Sequence, residues 1–117
     1  MTAVAPIPLG LGAESTFTVQ TDDREPLHPV VYVRGELDMA TAPQLADSIA
    51  GVLSRIPSDV VLDLSDTTFM DASGITVIVR MRNHLGDSSR VIIRHPAPVI
   101  RRILKLVQID TVVTIDR

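Results

Sequence analysis

The chain has 117 residues, a formal net charge of −3 and no cysteine. That length makes one domain, able to bury about two thirds of its unfolded surface in a single core without covalent staples. The missing cysteines exclude disulfides, thiolate metal sites and thiol nucleophiles and fit a reducing cytoplasm, and the mildly acidic balance gives nucleic acid no bulk attraction.

Apolar residues make up 45% and are mainly aliphatic, the only aromatics being Phe17, Tyr32 and Phe69. Val, Ile and Leu suit helices packed on a sheet. They offer few rings for stacking on bases or sugars. No run approaches the roughly 18 apolar residues of a membrane span. Met1 to Leu11 is apolar but lacks a basic n-region and carries Pro6, Pro8 and Gly10, so no signal peptide is expected. Residues 1–14 are expected to form a flexible tail and residues 15–117 the folded domain.

Phe17 to Gln20 alternates and predicts a short strand. Thr21 to Pro29, with two aspartates and two prolines, reads as a loop. Val30 to Val33 is a β-branched strand, with Gly35 expected to end it. Thr41 to Ile56 predicts a helix. Thr41 and Gln44 have the spacing of a capping box, Pro43 sits in the first turn, and Ala42, Leu45, Ile49, Val52 and Ile56 mark one buried face. Pro57 and Ser58 stop it.

Val60 to Leu64 is nearly all apolar, as in a central strand covered on both faces. Ser65 to Thr68 reads as a turn, after which Phe69 and Met70 are expected to point inward. From Ser73 or Gly74 the pattern is helical, with Ile75, Ile78, Val79 and Leu85 inward and Gly86 as C-cap. Val91 to Ile93 is the next strand. Pro96 and Pro98 open a last helix, with Val99, Ile100, Ile103, Leu104 and Val107 on its buried face. Val112 to Ile115 predicts an edge strand. The class is therefore α/β: one mixed β-sheet with helices packed on it, in the order β-β-α-β-α-β-α-β, the first two strands antiparallel.

Catalytic patterns are missing. There is no GxGxxG, Walker loop or HExxH, and His28, His84 and His95 lie in a loop, on a helix and before a proline. No nucleophile–base pair is suggested by spacing, and neither a metal nor a cofactor is expected. Asp22, Asp23 and Asp71 suggest a phospho-accepting receiver domain. That fold needs a lysine at the end of a late strand, however, and Lys105 falls inside an amphipathic helix.

The segment from Asp63 to Ile75 runs from a buried strand through a tight turn into a helix, and contains Phe69-Met70-Asp71-Ala72-Ser73-Gly74. It resembles the signature of the STAS domain, as found in bacterial anti-sigma factor antagonists. Two more stretches fit the same family: Gly35-Glu36-Leu37-Asp38, and Pro98 to Leu104. The resemblance spans about Thr16 to Ile115.

It implies a cytoplasmic regulator that is not an enzyme. Such a protein binds an anti-sigma factor that is also a serine kinase of the histidine-kinase-like ATPase fold, and so frees a sigma factor. Phosphorylation of a hydroxyl residue after the motif aspartate releases the complex, and a metal-dependent phosphatase resets it. Carried to this chain, Glu36, Asp38, Asp71, Ala72, Ser73 and Gly74 become the candidate partner-binding residues. The usual acceptor position is Ala72, which has no hydroxyl. Ser73 beside it is then the candidate acceptor, a helix N-cap or another contact. A STAS protein that cannot be phosphorylated, serving as a scaffold, a sensory subunit or a small partner of a transport complex, is the alternative. Gln108 stands where this family often has glycine, so a left-handed residue there would be strained and the helix end is expected to differ.

Overall fold

The computed structural model describes residues 17–116; the expected tail over 1–14 lies outside them. Strand β1 (Thr18–Asp22) pairs antiparallel with β2 (Val30–Leu37). Helix α1 (Ala42–Leu53) leads to β3 (Asp59–Met70), α2 (Ala72–Leu85) to β4 (Arg90–Arg94), and α3 (Pro98–Leu106) through a short 3-10 turn, Ile109–Thr111, to β5 (Thr114–Asp116). Strands β2 to β5 are parallel neighbours, so the sheet order β1-β2-β3-β4-β5 equals the chain order. The expected class, element order and antiparallel first pair are all present. No helix of the described residues is long and apolar enough to cross a membrane.

One register row shows how the sheet divides inside from outside. Val33, Val31, Leu62 and Ile93 are buried and alternate with Tyr32, Asp63 and Arg94 along their strands. The first set joins Leu45, Ile49 and Val52 of α1, Ile78 and Met81 of α2, and Ile100 and Leu104 of α3 in one core. On the other face a polar row runs across all five strands, from Gln20 through Tyr32, Asp63 and Arg94 to Asp116. β3 is therefore covered by helices on one face only, not on both.

β3 is also longer than expected. Ser65 to Thr68 is strand, not turn. Beyond Asp63 it leaves β4 and pairs with β2 alone, and there its register shifts twice, between Tyr32 and Arg34 and between Gly35 and Glu36 of the partner strand. Each shift gives β3 one extra residue. A bulge turns the following side chains to the other face. Leu64, Thr67 and Met70 are buried while the pairs between them are exposed, so this segment has a period of three. Phe69, expected inside, is 47% exposed. Gly35 does not end β2. It lies within the strand at φ 102°, a conformation open to glycine at little cost. The Thr67 hydroxyl donates to the Val33 carbonyl at 2.8 Å, at the first register shift, where the ladder would otherwise leave a buried acceptor unmet.

The helix ends differ in small ways. α1 stops at Leu53, and Ile56, at φ 53°, is 83% exposed and off the buried face. Val99 and Val107 of the last helical region are likewise exposed, at 56% and 51%. Met81 of α2 is core although the sequence pattern did not single it out. Gly86 is the α2 C-cap as expected, at φ 73°. Gln108 is left-handed, φ 60°, so α3 ends with a backbone turn that a side chain adopts at a cost of about 1–2 kcal/mol.

The polar row is anchored at Asp63, which is buried. Its Oδ1 accepts from the Ser65 amide at 2.9 Å and hydroxyl at 2.6 Å, and its Oδ2 accepts from Arg94 Nε at 2.8 Å. Arg94 also reaches the Tyr32 hydroxyl, with its guanidinium 5.8 Å from the ring centroid. Burial pushes the Asp63 carboxyl up, but the Ser65 bonds and Arg94 outweigh it and hold the group below its ordinary 3.8. A depressed carboxylate stabilises the fold above the unfolded value of about 3.9, and this is lost as pH falls through the folded value. Asp63→Asn is expected to cost about 1–3 kcal/mol at neutral pH, read as a lower urea midpoint. The gap from the parent chain should narrow once the pH is below about 3.9; a gap unchanged at low pH would mean that the charge of Asp63 contributes nothing.

Candidate functional site

β2 and β3 run past β4, with β1 flanking β2 as far as Arg34, and carry their last residues outward as a two-stranded arm. From Arg34 to Leu37 is three steps along the strand, about 10 Å. Two helix-entering turns stand at its tip: Asp38 to Thr41 after β2, and Asp71 to Gly74 after β3. A backbone bond joins them, the Asp71 amide donating to the Leu37 carbonyl at 3.2 Å. The candidate residues Glu36, Asp38, Asp71, Ala72, Ser73 and Gly74 thus lie at one end of the sheet.

Asp38 organises the first turn. Its Oδ1 accepts from the Ala40 amide at 2.9 Å and the Thr41 amide at 3.1 Å. The expected capping box is not made: Thr41 is at the N-cap position, but its side chain caps nothing in the helix. Instead its hydroxyl accepts from the Asp38 amide at 2.9 Å and donates to the Glu36 carbonyl at 2.7 Å. The threonine thereby closes the turn onto the strand before it. Glu36 itself projects from the arm, exposed, beside Phe69 in the register.

Asp71 organises the second turn. It is extended, at φ −116° and ψ −169°, and is the N-cap of α2, its Oδ1 accepting from the Ser73 amide at 2.8 Å. Ser73 is therefore not the cap. It lies in the first helical turn, half-buried, and its hydroxyl makes no hydrogen bond among the described residues. Ala72, the first helical residue, is exposed. Both aspartates sit where helix dipoles favour negative charge, and both spend acceptor oxygens on their own turns.

Gly74 shows how close the turns are. A Cβ there would lie 2.8 Å from Leu37 Cδ2 and 2.9 Å from Leu37 Cγ and Met70 Cγ. Leu37 and Met70 are the last paired residues of the arm and both are buried. The glycine lets α2 start directly on them.

The sequence pattern did not mark two apolar side chains at this end as surface. Met39 is 78% exposed in the first turn, and Phe69 is 47% exposed on the arm. The second register shift, which sets Glu36 opposite Phe69, leaves Phe69 outside and Met70 inside; that shift is decided between strands and has no local sequence signal. The tip thus leaves apolar Met39, Phe69 and Ala72 exposed at the same end of the sheet as Glu36, Asp38 and Asp71. Exposed apolar side chains in company with polar ones are the composition of contact surfaces. Among the described residues no three His, Asp or Glu side chains cluster as metal ligands would.

Comparison with known proteins agrees with this architecture. The family model described as "Mlab, STAS domain" matches residues 20–114. The chain belongs to the STAS domain family. This STAS domain is 27% identical over 100 residues to the anti-sigma-F factor antagonist RsfB of Mycobacterium tuberculosis, covering 86% of this chain and 81% of RsfB. It is 29% identical to an anti-sigma factor antagonist from Mycobacterium paratuberculosis whose crystal structure superposes with a TM-score of 0.80, over 86% of each chain. The Bacillus cell fate determinant SpoIIAA in its phosphorylated form shares the fold, with a TM-score of 0.67 at 19% identity over 84% of this chain and 90% of that one.

Filling the space at Gly74 tests how tightly this STAS domain joins its two turns. Gly74→Val is expected to cost about 1–3 kcal/mol, seen as a lowered urea midpoint. An unchanged midpoint would show that α2 slides freely on Leu37 and Met70.

Proposed function

We propose that this STAS domain is an anti-sigma factor antagonist working in the cytoplasm. It binds an anti-sigma factor through the tip of the β2–β3 arm, and that binding releases a sigma factor. The observation that carries the reading is the tip itself: two helix-entering turns bonded together, with Met39 and Phe69 exposed at the same end of the sheet as Glu36, Asp38 and Asp71. The antagonists among its relatives support the same role. Nothing in the proposed action requires this chain to catalyse a reaction.

The partner expected is an anti-sigma factor with the histidine-kinase-like ATPase fold, which acts as a serine kinase. Ser73 is the proposed acceptor, since its hydroxyl is unengaged at the start of α2. A phosphate there adds about −1.5 to −2 charge next to Asp71 and across the paired turns from Asp38. A helix N-terminus tolerates that anion, so the fold survives. In a desolvated contact the like charges repel by several kcal/mol, so the complex comes apart. A metal-dependent serine phosphatase would reverse the change.

One feature favours a second reading. Ala72 is the exposed residue of the turn and has no hydroxyl, whereas Ser73 is half-buried. In that reading the domain binds without being phosphorylated, as a scaffold, sensory subunit or partner of a transport complex.

The test is to incubate the protein with ATP and the purified ATPase-type anti-sigma factors of its own cell, then follow complex formation and mass. A stable complex with at least one of them is expected, and Phe69→Ser or Met39→Ser should weaken it at least about tenfold with an unchanged urea midpoint. No complex with any of them would sink the proposal. Gain of one phosphate that disappears in Ser73→Ala supports Ser73 as acceptor. Gain that survives Ser73→Ala moves the site, and a complex without any gain supports the second reading.

A further inference from the structure

The outer face of α3 carries a feature that the paired turns do not use. Pro98, Arg101, Arg102, Lys105 and Leu106 line a groove of about 620 Å³ together with Pro96. With about 100° per residue, these five helical positions fall on one side of α3, opposite the buried Ile100 and Leu104. Leu106 is 75% exposed, and Val99 stands exposed beside the groove. Hence the groove is cationic along its middle and apolar along its edges.

Among the described residues the cations here are not matched by carboxylates. Arg24, Arg55, Arg82, Arg90 and Arg94 each have a carboxylate partner; Arg34 and Arg80 have none among the described residues but stand singly, whereas α3 gathers three such cations on one face. Arg101, Arg102 and Lys105 have none among the described residues, and α3 holds no acidic residue. Arg101 is half-buried, with its Nε out of solvent and without a hydrogen-bond partner. A shielded donor left unmet costs free energy that an incoming acceptor recovers. Three unmatched positive charges on a chain of net charge −3 form a local field of opposite sign to the whole.

We propose that this face of α3 docks an acidic, leucine-bearing segment of a protein partner. Pro98 to Lys105 is seven steps along the helix, about 10 Å of its axis. That length matches two turns of a partner helix presenting carboxylates one turn apart, which Arg101, Arg102 and Lys105 meet while Leu106 and Val99 cover its leucine. Arginine forks favour carboxylates in two-point contacts. A membrane is the poorer occupant, because three cations on a net acidic chain fall short of a polybasic anchor. Nucleic acid would need stacking rings that this face lacks. The groove starts where β4 ends, at the base of the arm, and its docking does not depend on what occupies the tip.

The experiment titrates the isotope-labelled full chain with a synthetic helical peptide of about 15 residues bearing glutamates one turn apart and leucines between them. Saturable shifts centred on the amides of Val99 to Val107 are expected, weakening with salt. Arg102→Glu with Lys105→Glu, both exposed positions, should lower affinity at least about tenfold at an unchanged urea midpoint, and Leu106→Ser should lower it too. Arg34→Glu, on the strand face, should leave it intact. The proposal is overturned if the peptide does not saturate, if its lysine-for-glutamate version binds equally, or if the double charge reversal has no effect. Binding to phosphatidylglycerol vesicles without binding to the peptide would overturn it as well.

Discussion

The bond from the Asp71 amide to the Leu37 carbonyl is the contact on which the rest of the tip depends. It lies where two parallel strands end together, and it makes their two helix-entering turns one object. Everything chemically distinctive at this end follows from that joining. The aspartates cap their own turns, Thr41 ties its turn to the strand before it, and Gly74 allows α2 to begin against Leu37 and Met70. A parallel pair ordinarily sits deep in a sheet, flanked on both sides. Here β2 and β3 escape their neighbours, and the two bulges in β3 supply the changes of face that leave Met70 inside and Phe69 outside.

The two ends of the domain differ in how they hold charge. On the open face of the sheet Asp63, Ser65, Arg94 and Tyr32 satisfy one another, so the charge is internal and the surface is closed business. At the tip the aspartates bond only within their own turns, Asp38 to the Ala40 and Thr41 amides and the Thr41 hydroxyl and Asp71 to the Ser73 amide, and keep acceptor capacity; among the described residues the cations of α3 have no carboxylate partner. Surfaces that leave polar capacity unspent beside exposed apolar side chains are those fitted to a second molecule.

Much of the fold was legible in the sequence. The β-branched run of β2, the Leu45, Ile49 and Val52 face of α1 and the Gly86 cap are local signals, each set by a few adjacent residues. What escaped was decided between strands. Ser65 to Thr68 has a turn-like composition, and its buried residues recur every third position, a period belonging to neither helix nor strand; only the shifted register with β2 explains it. Gly35 looked like a terminator because its role in the interior of a shifted ladder depends on β3. At the site, the motif aspartates and Gly74 were readable from the resemblance, whereas Met39 and Phe69 were hidden by the rule that apolar side chains go inside. Ile56, Val99 and Val107 misled for the same reason. They sit at or past helix ends, where the turn of the chain no longer follows the helical period.

The sheet order, identical to the chain order, has a consequence in time. Each strand after the first finds its neighbour already present in the chain made before it. No strand has to be inserted between two earlier ones. The long-range closures that slow most parallel sheets are here reduced to a series of single crossovers between successive strands. The domain can therefore assemble progressively from its N-terminal hairpin as it leaves the ribosome, with the arm and its tip complete once α2 has folded.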